Sequence, residues 1–204
     1  MLEALQNSRL KDVVPMSVEE ALAMPEFGVQ QYIAAQVQYS PKAVERLVRI
    51  PEQDGNPVFD RNEWIYEHLK RILRDINVPW LLNVQRECTN VDSCEVLRVG
   101  NDAYMCRAHD DGRICTARDY IFHAIDMASD QLQSPRHFPP NQTKSLHRSH
   151  VVFAICRQLA RIFSHLYLHH RSLFERCEQD TALYARFKKL TEEFQLLQAD
   201  FLPI

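Results

Sequence analysis

The sequence predicts an all-α domain with one small β-hairpin, and three observations lead there. Only four of the 204 residues are glycine, while Leu, Ala, Arg, Glu and Gln, all good helix formers, are plentiful. Apolar residues recur at three- and four-residue spacing in long stretches parted by joints rich in Pro, Gly and Asp. In one interval, 94–115, the pattern loosens to alternation: Val96, Val99, Tyr104 and Cys106 flank Gly100-Asn101-Asp102, and Asp110-Asp111-Gly112 supplies a second turn. Six or so helices without repeats or a low-complexity linker make a single bundle.

In chain order, residues 1–28 contain two prolines and weak periodicity, and predict a partly ordered arm ahead of a domain over 29–204. A short helix is expected over 29–38 and a second starting at Ser40-Pro41, with Ser as cap and Pro in the first turn. Residues 51–57, with Asp54-Gly55, form a turn-rich connection. Asp60 and Glu63 are spaced as a capping box, and Trp64, Ile65, His68, Leu69, Ile72 and Leu73 then follow as a core stripe up to the break at Pro79. A further segment leads through Leu82 and Gln85 toward Cys88. After the hairpin, Thr116 caps with Asp119 a helix whose buried stripe is Tyr120, Ile121, Ala124, Ile125, Ala128 and Leu132. Three prolines make 134–141 a loop. The longest helical signal runs from 149 to at least 174, and a last helix covers about 181–197.

Charge and composition exclude several classes. A net charge of -3 offers no global attraction to nucleic acid or anionic lipid. No stretch is read as the roughly 20 apolar residues of a membrane span, and the first residues lack the basic-then-apolar order of a signal peptide. Six cysteines are therefore expected as free thiols or metal ligands in the cytosol or nucleus, not as three disulfides. The sequon at Asn141-Gln142-Thr143 is a chance match on this reading. No Gly-rich phosphate loop or recognisable nucleophile motif is present, and Glu67-His68 reads as a charged helix surface beside a core histidine.

Cysteine and histidine carry the sharper signal. Cys88 and Cys94 bracket five polar-rich residues; structural zinc spacers run two to four, so alone the pair equally suits two unrelated thiols. His165, His169 and His170 lie in the longest helical stretch. Helix geometry favours His165 and His169, one turn apart, as co-ligands, whereas His165 and His170 are about 140° apart on an ideal helix and meet one ion only through a local distortion. Two thiolates and two neutral imidazoles would fill a tetrahedral shell and leave no place for water, a structural role. Cys106, His109 and Cys115 form a rival cluster without an obvious fourth partner. Arg157 and Arg161, one turn apart, can grip a phosphate through charge-assisted hydrogen bonds, with Arg148 and Lys144 nearby in sequence. Trp64, Tyr66 and Trp80 are candidate interface anchors, Trp64 fitting the core better and Trp80 freer to be exposed.

The chain resembles the Mob (Mps one binder) family, most closely its phocein branch. The resemblance rests on Val29-Gln30-Gln31-Tyr32-Ile33, Trp64-Ile65-Tyr66-Glu67-His68-Leu69, Cys106-Arg107-Ala108-His109, Asp119-Tyr120, His137-Phe138-Pro139-Pro140 and the run of residues 161–171. It implies a Mob-like single domain around a four-helix core, with a structural zinc ion held by Cys88, Cys94, His165 and His170. The cysteine spacer is one residue longer than that family's usual four. The resemblance further implies a phosphopeptide pocket at Arg157, Gln158 and Arg161, where Gln158 replaces a positive side chain and predicts weaker or differently selective binding. The implied function is a non-catalytic adaptor that binds germinal-centre-type protein kinases and a striatin-like scaffold within an assembly containing protein phosphatase 2A, cytoplasmic or peripheral to the Golgi and other membranes. Two alternatives remain open: a zinc-dependent hydrolase with an open metal position and a proton-transfer group such as Glu87, and a phosphopeptide-binding module outside that assembly. Nucleic acid is a minor option that would require a broad basic surface.

Overall fold

The computed structural model describes residues 15–24, 26–89, 92–109, 114–139, 149–198 and 201–202. Nine α-helices are described: α1 Val18–Leu22, α2 Gly28–Tyr39, α3 Val44–Val48, α4 Arg61–Asp75, α5 Leu82–Glu87, α6 Ala117–Gln133, α7 Ser149–His169, α8 Arg171–Thr181 and α9 Leu183–Glu193. Two antiparallel two-stranded hairpins accompany them, β1 Glu52–Gln53 with β2 Asn56–Pro57 and β3 Leu97–Val99 with β4 Asp102–Tyr104. The all-α expectation with a small hairpin holds. Residues 1–14, Pro140, the sequon, Lys144, Arg148 and the turn at Asp110-Asp111-Gly112 lie outside the described residues.

The centre is built by α4, α6, α7 and α9. Helix α4 packs on α6 and α9, α6 packs on α7, and α7 meets α9 where Phe163 faces Phe187, ring centres 5.4 Å apart. The stripes expected for α4 and α6 are buried throughout. Asp60 Oδ1 accepts the N–H groups of Asn62 and Glu63, and Thr116 Oγ1 accepts that of Asp119, so both starts are fixed by side chains as their spacing implies.

Several expectations are corrected. Ser40 does not start a helix: it closes α2, its N–H donating to the Gln36 carbonyl, and α3 begins after a turn, behind Ala43. Residues 51–57 hold the hairpin β1–β2, because Asp54 (φ 52°) and Gly55 (φ 78°) both take the left-handed conformation that a tight two-residue turn demands. The helix expected from 149 to 174 breaks at His170, whose φ of -133° and ψ of 49° separate α7 from α8. Trp80 is fully buried among Phe163 and Phe174, its indole N–H donating to Thr181 Oγ1 at 3.0 Å, and Tyr66 is spent on the Leu132 carbonyl at 2.9 Å. Neither offers an interface anchor, and Trp64 is likewise core, bonded to the Val48 carbonyl at 2.8 Å. Glu67 is buried with His68 and ion-paired to Lys70 at 3.1 Å, so the expected charged helix surface is absent there.

The span 150–169 also corrects the membrane reading, since its length and mean hydropathy of 1.3 suffice by composition to cross a membrane. The reason is its position. Val151, Ile155, Leu159, Ile162, Phe163 and Leu166 of α7 are buried, so the central helix of the bundle is apolar around much of its circumference.

Candidate metal centre and basic cavity

Cys88 closes α5, its N–H donating to the Val84 carbonyl, and Cys94 ends a single 3₁₀ turn, Asp92–Cys94, just before β3. From the other side, His165 projects from the last turns of α7 and His170 from the break that follows. The Cys88 and Cys94 sulfurs lie 3.4 Å apart, Cys88 Sγ is 3.7 Å from His165 Nε2 and Cys94 Sγ is 3.2 Å from His170 Nε2. All four donor atoms fall within 4.8 Å of one another.

That spacing can be tested against an ion. Bonds of roughly 2.3 Å to sulfur and 2.05 Å to nitrogen in a tetrahedron separate the sulfurs by about 3.8 Å and each sulfur from a nitrogen by about 3.6 Å. The observed separations are within a few tenths of an ångström of those edges, so the residues fit a metal ion. The longer cysteine spacer is accommodated. The non-helical backbone at His170 is the distortion that lets its ring meet that of His165; on a continuous helix the two would point apart. His169, which spacing alone favoured, is not one of the four. Its ring lies beside that of His165, centres 4.9 Å apart, and contributes no donor to the cluster.

The electrostatics match the geometry. Burial pushes the His165 imidazolium down to about 4 and lowers that of His170, which keeps both rings neutral near pH 7, the form that binds metal. His165 Nδ1 is 3.0 Å from the Arg98 carbonyl of β3, and since a carbonyl only accepts, Nδ1 carries the hydrogen and Nε2 presents its lone pair toward the sulfurs. Burial, together with the neighbouring Cys94 thiol, raises Cys88 well above the ordinary thiol range. A bound cation would reverse that preference and hold both sulfurs as thiolates.

The second expected cluster also assembles, and with a member the sequence reading missed. Cys106, His109 and Cys115 converge with His123 of α6, all four donors within 4.8 Å of one another. His123 follows the Cys115 side of the loop by two helical turns. Only the packing of the hairpin exit against α6 makes it a partner.

Arg157, Gln158 and Arg161 line one cavity of about 90 Å³ together with Tyr120, Cys106 and Arg107. The Arg161 guanidinium lies 4.3 Å from the centre of the Tyr104 ring, while its Nε and the Gln158 Oε1 are buried without a hydrogen-bond partner. Arg107, which follows β4, adds a third cation that the spacing on α7 could not reveal.

The fold and site define a class: a helical domain built round one apolar central helix, with two cysteines and two histidines gathered at that helix's end and an arginine-lined cavity beside it. A model of the Mob1/phocein family matches residues 36–203. The chain is 30% identical over 177 residues to MOB kinase activator-like 4 of Drosophila melanogaster, covering 87% of this chain and 77% of that protein. It is 30% identical over 190 residues to MOB-like protein phocein of Caenorhabditis elegans, covering 93% of this chain and 82% of that protein. The chain belongs to the Mob1/phocein family.

Proposed function

We propose that this protein is a non-catalytic adaptor that presents a phosphate-reading surface to protein kinases and to a striatin-like scaffold, in an assembly that includes protein phosphatase 2A. The observation that carries it is the saturated donor set of Cys88, Cys94, His165 and His170 in a member of a family that includes a relative named a kinase activator. On this reading the ion is zinc. Two sulfurs and two imidazoles suit it, and with four protein ligands it supplies cross-linking, not an activated water. A hydrolase would need an open coordination position, and Glu87, its suggested proton-transfer group, is engaged by Arg176 at 2.5 Å. All six cysteines are free, which suits the reducing cytoplasm as the place of action.

The docking feature is the cavity. Arg107, Arg157 and Arg161 supply positive charge on one side of α7, and Gln158, whose amide oxygen lacks a partner, can turn its NH₂ toward a phosphate oxygen. Charge-assisted hydrogen bonds of this kind are worth about 1.5–3 kcal/mol each. Arg161→Glu should therefore weaken a phosphothreonine peptide by roughly 10-fold to 100-fold, read by isothermal titration with circular dichroism as the fold control. Equal affinities for the wild type and the variant would remove the peptide assignment. Affinity capture from cells followed by mass spectrometry tests the assembly: a striatin-like scaffold and a germinal-centre-type kinase are expected, and recovery of neither overturns the adaptor reading. A phosphopeptide module outside that assembly would keep the first result and lose the second.

A further inference from the structure

The hairpin exit, residues 105–109, and the approach to α6, residues 114–116, turn their large apolar side chains outward and their cysteines inward. Met105 and Ile114 are 52% and 67% exposed, whereas their neighbours Cys106 and Cys115 turn inward, 9% and 7% exposed. Large apolar side chains facing solvent while small sulfur side chains point in is the reverse of what hydrophobic anchoring would select. The inward side chains meet imidazoles. Cys106 Sγ is 3.5 Å and Cys115 Sγ 3.6 Å from the same atom, His123 Nδ1, and the His109 ring stands edge-on to that of His123 with centres 4.8 Å apart. The Ala108 N–H donates to Cys106 Sγ at 3.4 Å, which aims a backbone dipole at the sulfur inside a Cys-x2-His turn.

We infer that Cys106, His109, Cys115 and His123 form a second tetrahedral zinc site, distinct from the one at Cys88, Cys94, His165 and His170. The sulfur to nitrogen separations of 3.5 and 3.6 Å coincide with the roughly 3.6 Å edge of a tetrahedral zinc shell. The donors come from two sides of the loop and from α6, so one ion closes the loop onto the helix at His123. It has four protein ligands and a structural role. Its place gives it a consequence for the cavity: Cys106 and the adjacent Arg107 both line it, so the ion fixes where that wall stands relative to Arg157 and Arg161 on α7. The site does not depend on the adaptor reading.

The test is metal content of the purified full chain with zinc measured by plasma mass spectrometry. About two zinc ions per chain are expected in the wild type, about one in His123→Ala and in Cys106→Ser, about one in Cys88→Ser, and none in Cys88→Ser combined with His123→Ala. One zinc per wild-type chain that is unchanged by His123→Ala and lost in Cys88→Ser would overturn the second site alone. One zinc lost in His123→Ala and kept in Cys88→Ser would instead sink the first site and keep the second. If these variants do not fold, alkylation of the native wild type keyed to individual cysteines decides. Cys106 and Cys115 are expected to react only after a zinc chelator is added, and reaction of both at the same rate with and without chelator would overturn the proposal.

Discussion

His68 is fully buried against Trp64, ring centres 4.9 Å apart, and burial, assisted by the nearby Arg186 guanidinium, holds its imidazolium down at about 3. In the unfolded chain the same group titrates near 6.5. A folded value below the unfolded one means that the unfolded chain takes up the proton first. The contribution of neutral His68 is therefore complete above about pH 6.5 and is lost as pH falls toward 3, at roughly 1.4 kcal/mol per pH unit. His68→Gln cannot titrate, so the difference in unfolding free energy between wild type and variant, measured by urea denaturation, should be flat above pH 6.5. It should narrow steadily between pH 6 and pH 4.5. Parallel pH profiles would show that His68 titrates in the folded chain as it does in the unfolded one. Arg186, 1% exposed, meets burial in the other way, keeping its charge through an ion pair with the Asp75 carboxylate.

At the scale of elements, α1 shows how one glycine fixes a docking angle. The α1 segment is capped by Ser17, whose side chain accepts the Glu20 N–H while Glu20 answers the Ser17 N–H, and it buries Ala21 against the start of α2. A Cβ on Gly28 would stand 2.1 Å from the Ala21 carbonyl oxygen, a backbone atom that cannot step aside. Gly28→Ala should undock α1, costing on the order of 1–3 kcal/mol by overpacking. Hydrogen exchange should quicken at the α1 amides while α4 and α7 keep their protection, and unchanged exchange at α1 would refute the close approach. The elements that were legible in the sequence share a cause. Capping residues and a one-sided stripe specify α4 and α6 locally, through Asp60, Thr116 and the buried positions behind them. What was not legible is decided by tertiary contact. No local signal at His170 announces the end of α7, because the run of apolar and helix-forming residues continues through Leu173 and Phe174 and only the convergence of its ring on Cys94 accounts for the turn. Nor could spacing pair His123 with Cys106, since the partnership needs the hairpin folded onto α6. The donors of the first centre were legible as residue types, and their choice between His169 and His170 came from the family resemblance, which the broken helix makes physically sensible.

At the scale of the whole molecule, the β3–β4 hairpin lies between the two Cys/His groups and touches both central helices that carry their histidines. Strand β3 packs on α6 and α7, Cys94 precedes it, its Arg98 carbonyl receives His165 Nδ1, and Cys106 follows β4. Tyr104 of β4 then supports Arg161 at the rim of the basic cavity. The apolar core that unites all these helices is extensive and does not need the ion to collapse, unlike a zinc-finger peptide that has no other core. If the first centre holds zinc, as proposed, its removal should loosen the hairpin and the ends of α5 and α7 while most helix persists. An ion bound only by the folded chain adds its binding free energy to stability, and a loss of about 4 kcal/mol lowers the melting temperature by roughly 8–16 °C for a domain of this size. Treatment with a strong zinc chelator should produce such a drop, with far-ultraviolet circular dichroism changed little at 25 °C and exchange protection lost at Leu97, Arg98 and His170 before Ile72 or Ile121. Restoring zinc should return both the melting temperature and the protection. A chelated protein that melts where the untreated one does, with the Arg98 and His170 amides still protected, would mean that packing alone holds α7 to the hairpin.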